Sequence, residues 1–246
     1  MTSKFWNLSS PDSIRGLAEW DESMDFEQIL CPANPDHRRA GKRLTDLSVL
    51  LTSRKIKDFV WTWYSECLIQ DHVLNLFRDK GLTGFEVKPV QARTKVRARH
   101  PDPCDDNPGL SADVAAEMEI PKLWELVVTG WGGVAPEESG IRLVKACDAC
   151  GYLEYTFFED PSLLINEHQW DRSDFFMVWP LPKYVFVTDK VAKLIRKHGL
   201  TGARLRAPET LNGVSRMPNA GFAPGRLSRW MPEARARELG EPLGIY

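Results

Sequence analysis

The stretch Asp71-His72-Val73-Leu74-Asn75-Leu76-Phe77-Arg78-Asp79-Lys80-Gly81-Leu82-Thr83-Gly84 returns as Asp189-Lys190-Val191-Ala192-Lys193-Leu194-Ile195-Arg196-Lys197-His198-Gly199-Leu200-Thr201-Gly202. Eight of the fourteen positions are identical, at a constant offset of 118. Short apolar runs ending at Leu68-Ile69 and Phe186-Val187 precede the copies and read as strands. Val73, Leu76 and Phe77 share one helical face, as do Val191, Leu194 and Ile195. Asp71 and Asp189 stand near the helix start, where a carboxylate can accept backbone N–H groups and oppose the dipole. Arg78, Lys80, Arg196, Lys197 and His198 stand near the end, where cations are favoured. Gly81 and Gly199 fit left-handed caps, and Gly84 and Gly202 turn the chain into further strands. The unit is strand–helix–turn–strand, used twice. Asp58-Phe59-Val60-Trp61 and Asp174-Phe175-Phe176-Met177-Val178-Trp179 extend it backwards, with a two-residue insertion in the second copy.

Working outward, residues 1–30 read as a leader with some helix, started by Ser10-Pro11. Residues 31–43 read as a loop and residues 44–51 as a strand. Residues 93–110 pass from a basic run to a turn-rich acidic one and form the candidate linker. Leu123–Thr129, Ile141–Lys145 and Tyr152–Phe158 read as strands, with a glycine-rich loop over Gly130–Gly140. After Leu211 the chain turns rich in Gly, Pro and Arg, so a mobile tail is expected. Part of it could wrap the fold through Phe222, Leu227, Trp230 and Met231, with a short helix from Glu233. The expected fold is α+β: two related units around mostly antiparallel sheet, with a zinc-ribbon-like knuckle module. The expected divisions are 1–110, 111–211 and 212–246, which could also form one compact domain.

Composition excludes several function classes. With 43% hydrophobic and 27% charged residues, the 246-residue chain can bury a substantial core. A net charge of −2 argues against a non-specific polyanion binder. No apolar run is long enough for a membrane span and no signal core follows the first residues, so a cytoplasmic location is expected. Five cysteines, an odd count, disfavour a disulfide framework. Neither a Gly-x-Ser-x-Gly elbow nor an i, i+4 histidine pair occurs, and no enzymatic activity is expected.

One motif carries metal chemistry. Cys147-Asp148-Ala149-Cys150-Gly151 places two thiols on a turn whose glycine lets backbone N–H groups approach sulfur, which is half of a zinc knuckle. A closed site needs four ligands. A second half starting at Cys31-Pro32 would put cysteine at position 34 and glycine at 35, where the chain has Asn34 and Pro35. His37, Asp36 and Cys104 are the available substitutes, none at standard spacing. The chain therefore holds either one structural zinc, on Cys31, Cys147, Cys150 and a further donor, or a knuckle-shaped turn without metal. The nine tryptophans read mainly as packing. Surface-prone composition marks Trp131, Glu137 and Glu138, then Glu167, His168, Trp170 and Asp171, as candidate contacts for a protein partner.

The order of Cys31-Pro32, Leu44-Thr45-Asp46-Leu47-Ser48-Val49, a Gly-Leu-Thr-Gly turn, Cys147-Asp148-Ala149-Cys150-Gly151, Ser173-Asp174-Phe175-Phe176 and a second Gly-Leu-Thr-Gly turn resembles the double-CXXCG-motif family. That family occurs in myxobacteria and other bacteria and includes immunity proteins of swarming-inhibition toxin systems. The resemblance spans residues 28–210. It implies a cytoplasmic, non-enzymatic protein that binds and neutralises a cognate toxin, with a pair of zinc-ribbon-like knuckles. Only Cys31, Cys147 and Cys150 match the four cysteines of the pattern. The other reading is a zinc-knuckle module that binds nucleic acid or protein in a regulatory role, with nucleic acid the less expected partner.

Overall fold

The computed structural model describes residues 4–11, 17–52, 55–94, 120–211 and 221–246. The first half runs β1 (Phe5–Ser9), β2 (Glu19–Trp20), β3 (Phe26–Ile29), β4 (Arg39–Arg43), β5 (Leu47–Leu51), β6 (Phe59–Trp61), β7 (Cys67–Gln70), α1 (Asp71–Asp79) and β8 (Phe85–Thr94). The second runs β9 (Leu123–Val128), β10 (Gly130–Val134), β11 (Leu143–Cys147), β12 (Tyr152–Tyr155), β13 (Phe175–Trp179), β14 (Val185–Thr188), α2 (Asp189–Lys197) and β15 (Arg204–Arg206), followed by α3 (Glu233–Gly240). The fold is α+β with mostly antiparallel pairing, as the repeat implies. No described helix is long and apolar enough to cross a membrane.

The halves exchange strands. One sheet has the order β2-β5-β8-β9-β7-β6 and the other β10-β13-β14-β1-β15. Thus β9, from the second half, is inserted between β7 and β8 of the first. In return β1, from the first half, is inserted between β14 and β15 of the second. The registers obey the repeat offset. Leu123 pairs with Gln70 and Leu126 with Cys67, while Phe5 pairs with Thr188 and Leu8 with Val185. Even the indoles match: Trp124 Nε1 donates to Asp71 at 2.8 Å and Trp6 Nε1 to Asp189 at 3.3 Å. The edges follow the same plan, with β10 parallel to β13 and Ala18 bridging in parallel to Thr62 beside β6. Neither sheet is complete without a strand from the other half. One core cluster accordingly mixes Val73, Leu74 and Phe77 of α1 with Val191, Leu194 and Ile195 of α2.

The repeated turn explains the remaining identities. Asp58 Oδ2 accepts from the Thr201 N–H at 2.6 Å and the Thr201 hydroxyl at 2.7 Å. Asp174 Oδ2 accepts from the Thr83 N–H at 3.1 Å and the Thr83 hydroxyl at 3.4 Å. Phe59 N and Phe175 N each donate 3.0 Å to the carbonyl of the threonine in the opposite half. Each Gly-Leu-Thr-Gly turn is therefore held by the aspartate of its counterpart, across a pseudo-twofold relation. Burial pushes the Asp58 carboxyl up, but the Thr201 N–H and hydroxyl and the adjacent His72 outweigh it, so the group lies below its ordinary value. A depressed carboxylate stabilises the fold fully above its unfolded value, about 3.9, and loses that contribution as pH falls through the folded value. Urea midpoints measured from about pH 5 to about pH 2 are expected to fall less steeply in Asp58→Asn than in the parent.

Several expectations need correction. Residues 5–9 are no leader but the inner strand β1, because Phe5 and Leu8 are buried against the second half. The helix start expected at Ser10-Pro11 falls largely on residues outside those described, as do Cys104 and most of the candidate linker. Asp71 and Asp189 do not cap backbone N–H groups; Gln70 and Thr188 are the cap residues, and the carboxylates take indole N–H groups instead. Gly130–Val134 is a strand, not a loop. The described C-terminal residues are docked: Leu227, Met231, Ala236 and Ile245 enter the main core. Arg235 donates to the Thr129 carbonyl and pairs with Asp171.

Candidate metal centre

Two hairpins at corresponding places in the halves meet at their tips. One is β3–β4, whose connection carries Cys31 and His37; the other is β11–β12, whose turn carries Cys147 and Cys150. The turn of the second hairpin is closed by Gly151 N donating to the Cys147 carbonyl at 2.8 Å. Gly151 has φ +63°, and a Cβ there would press on the Arg226 guanidinium, so glycine is needed for both backbone and neighbour.

The first hairpin reaches the same point by another route. Asn34 stands where a knuckle would have its second cysteine. Its side chain accepts from Asp36 N at 2.9 Å and, with Pro35 next, starts a single 3-10 turn over Pro35–His37. That turn brings His37 into the cluster. The ligand atoms of Cys31, His37, Cys147 and Cys150 all lie within 4.8 Å of one another. Cys31 Sγ and Cys147 Sγ are 3.7 Å apart, and His37 Nδ1 is 3.8 Å from Cys150 Sγ. A tetrahedral zinc with Zn–S bonds of about 2.3 Å requires sulfur–sulfur edges of about 3.8 Å. The donor set fits a metal ion of that size and softness.

The surroundings stabilise the Cys150 thiolate and bury the imidazole. Arg39 Nη1 lies 3.5 Å from Cys150 Sγ, and Arg39 Nη2 donates to the Cys150 carbonyl at 2.8 Å. The backbone N–H of Asn34 donates to Cys31 Sγ at 3.3 Å. Burial pushes the Cys150 thiol up, but the Arg39 guanidinium, Cys31, the Tyr152 N–H and His37 together bring it down to about 6. Cys147 is held above its ordinary value, first by burial, against the Ala149 N–H. His37 is buried and stacks on Tyr152 at 4.2 Å. The residue in the missing cysteine's place thus starts the turn that delivers the histidine. Three thiolates around a divalent ion leave one negative charge, and Arg39 and Arg226 lie on that side of the centre.

Three of these four donors are visible as cysteines in the sequence. The fourth needed the reading that Asn34-Pro35 starts one tight turn and so returns position 37 toward position 31. Asp36 is exposed, outside the cluster. Cys67 is buried elsewhere; burial and then Glu125 push its thiol far up, as expected of an inert cysteine.

The proposed partner contacts separate into two kinds. Glu137, Glu138 and His168 are exposed, and Glu167 is an exposed ion-pair partner of Lys4. Trp131 is buried on β10 rather than displayed on a loop. Trp170 packs on Phe5 and Phe176 and donates to the Ser173 carbonyl. Asp171 accepts from the backbone N–H groups of Trp131 and Ser173 and pairs with Arg235 at 2.7 Å. These three side chains have structural partners already. Compared with models of known protein families and with curated proteins, the chain matches none.

Proposed function

We propose that the cluster of Cys31, His37, Cys147 and Cys150 holds one structural zinc ion, and that the chain acts by binding rather than by catalysis. The carrying observation is the closed donor set. Four protein ligands complete a tetrahedral shell and leave no position for an activated water or a substrate. The ion's task is then to clasp the β3–β4 and β11–β12 hairpins, which belong to different halves.

Within that reading the chain is an immunity protein that covers and neutralises a cognate bacterial toxin. The resemblance in motif order supports this. Exposed carboxylates at Glu137, Glu138 and Glu167 offer a charged surface that would speed encounter with a basic partner and select against others. Co-purification with a candidate toxin, sought first among genes beside its own, tests the reading. A stable complex and relief of toxicity on co-expression are expected, with affinity lowered by Glu137→Lys and Glu138→Lys. Toxicity that persists, with no complex formed, contradicts it.

A further inference from the structure

A second feature lies away from the metal centre. A cleft of about 510 Å³ opens between the β3–β4 hairpin, the sheet face at Glu125, the turns before β7 and β14, and the segment leading into α3. Its charges are unevenly matched. Arg43 makes a double hydrogen bond to Glu125, and Lys42 pairs with Glu233 at 2.9 Å. Lys183 and Arg229 also line the cleft, with no carboxylate in ion-pair distance among the described residues. Arg229 donates Nη1 to the Ala40 carbonyl at 3.2 Å and sits over the Trp230 ring. Glu66 is the carboxylate whose charge acts on both cations, yet its Oε2 already accepts from the Thr62 hydroxyl and the Trp20 indole. Partial burial, then repulsion from Arg229, lowers Lys183 below its ordinary value despite Glu66. An exposed Lys183 and a half-buried Arg229 thus face one engaged carboxylate, and an added anion would balance their charge.

Part of the lining is aromatic. Tyr64 stacks on Trp20 with ring centroids 3.5 Å apart, and Trp20 on Phe26 at 4.8 Å. Tyr64 remains 47% exposed, a large apolar side chain left in water along the cleft. The turn that carries Tyr64 has a non-glycine residue, Ser65, at φ +84°, a conformation that persists where surroundings enforce it. At the repeat offset Lys183 corresponds to Ser65 and Glu125 to Asn7, so this charge pattern has no copy in the other half.

We propose that this cleft docks an acidic segment of a partner protein, its carboxylate held by Lys183 and Arg229 and an adjoining apolar side chain laid on Trp20 and Tyr64. The volume exceeds what an isolated inorganic ion fills and lies in the range of sites that enclose several ligand groups. This deepens the binding reading above, but rests on no particular toxin.

The test uses the full-length protein and two probes, acetyl-Glu-Trp-Glu-Leu-amide and its counterpart with both glutamates replaced by glutamine, titrated by NMR. The acidic peptide is expected to saturate, shifting the Trp20 indole and Lys183 side-chain signals. The glutamine peptide is expected to bind at least about tenfold more weakly, and Lys183→Glu to weaken the acidic peptide by about tenfold or more, the scale set by losing one charge-assisted contact. Tyr64→Ala, at an exposed position, supplies a second variant and weakens both peptides. Equal binding of the two peptides overturns the proposal. So does unchanged affinity in Lys183→Glu, the absence of saturation, or tighter binding of inorganic pyrophosphate at the same signals. Each of these outcomes leaves the co-purification test of toxin binding unaffected.

Discussion

Gly84→Ala and Gly202→Ala are each expected to destabilise the protein by about 3–5 kcal/mol, whereas Gly81→Ala and Gly199→Ala cost only about 1–2 kcal/mol. All four glycines have positive φ, between +58° and +85°, so all four pay the left-handed penalty of an added side chain. They differ in what the new methyl group meets. At Gly81 and Gly199 nothing lies within 4 Å. At Gly84 the Cβ would run into the Phe175 carbonyl oxygen, and at Gly202 into that of Phe59. Those oxygens are backbone atoms fixed in β13 and β6, so they cannot swing aside as a flexible side chain could. The clash is therefore added to the torsional strain, and it falls between the halves. Urea unfolding checks this through the midpoint at unchanged slope. Similar losses at Gly84 and Gly202, both well above those at Gly81 and Gly199, are the signature of the reciprocal contact. Four equal losses would mean that the glycines serve only as helix caps.

Removing the proposed zinc has the second large effect. An ion that binds only the folded state, at a free concentration about a thousand times its dissociation constant, stabilises by about 4 kcal/mol. For a chain of this size that corresponds to roughly 10 °C in Tm. Chelation, or Cys150→Ser, is expected to lower Tm by about that amount. Amide exchange should rise first in the two clasped hairpins, because β3–β4 and β11–β12 are two-stranded ribbons with little core of their own. The helices α1 and α2 share the main core and should keep their protection. Cys67→Ser provides the control: it disturbs a buried thiol, but a chelator should still lower its Tm. A chelator that leaves the parent's Tm and exchange unchanged would remove the ion from the account.

The repeat made the units legible because its periodicity, turn glycines and strand patterns are local. It did not reveal the exchange of β1 and β9. A short apolar strand such as Phe5–Ser9 carries no label saying which sheet it joins, and near the chain start it reads as a leader. The register match of Trp6 with Trp124 was present in the sequence at the same offset, but it gains meaning only once both indoles meet their aspartates. Trp131 misled for a related reason. Three glycines in Gly130–Gly133 suggest a loop, whereas Gly130 and Gly132 permit close packing against β13. At the metal centre the two halves of the donor set come from segments more than a hundred residues apart, so spacing rules could not join them. Asn34 looked like a lost ligand, and its capping role became visible only with the turn it starts.

The most direct test is the metal content of the protein purified without chelator, compared with His37→Ala and Cys150→Ser. One zinc per chain is predicted for the parent, with a tetrahedral cobalt spectrum after exchange. The ion should be lost in Cys150→Ser and held more weakly in His37→Ala. Metal-free parent protein that takes up neither zinc nor cobalt, or a parent and His37→Ala that bind zinc equally, would contradict the four-ligand clasp between the halves.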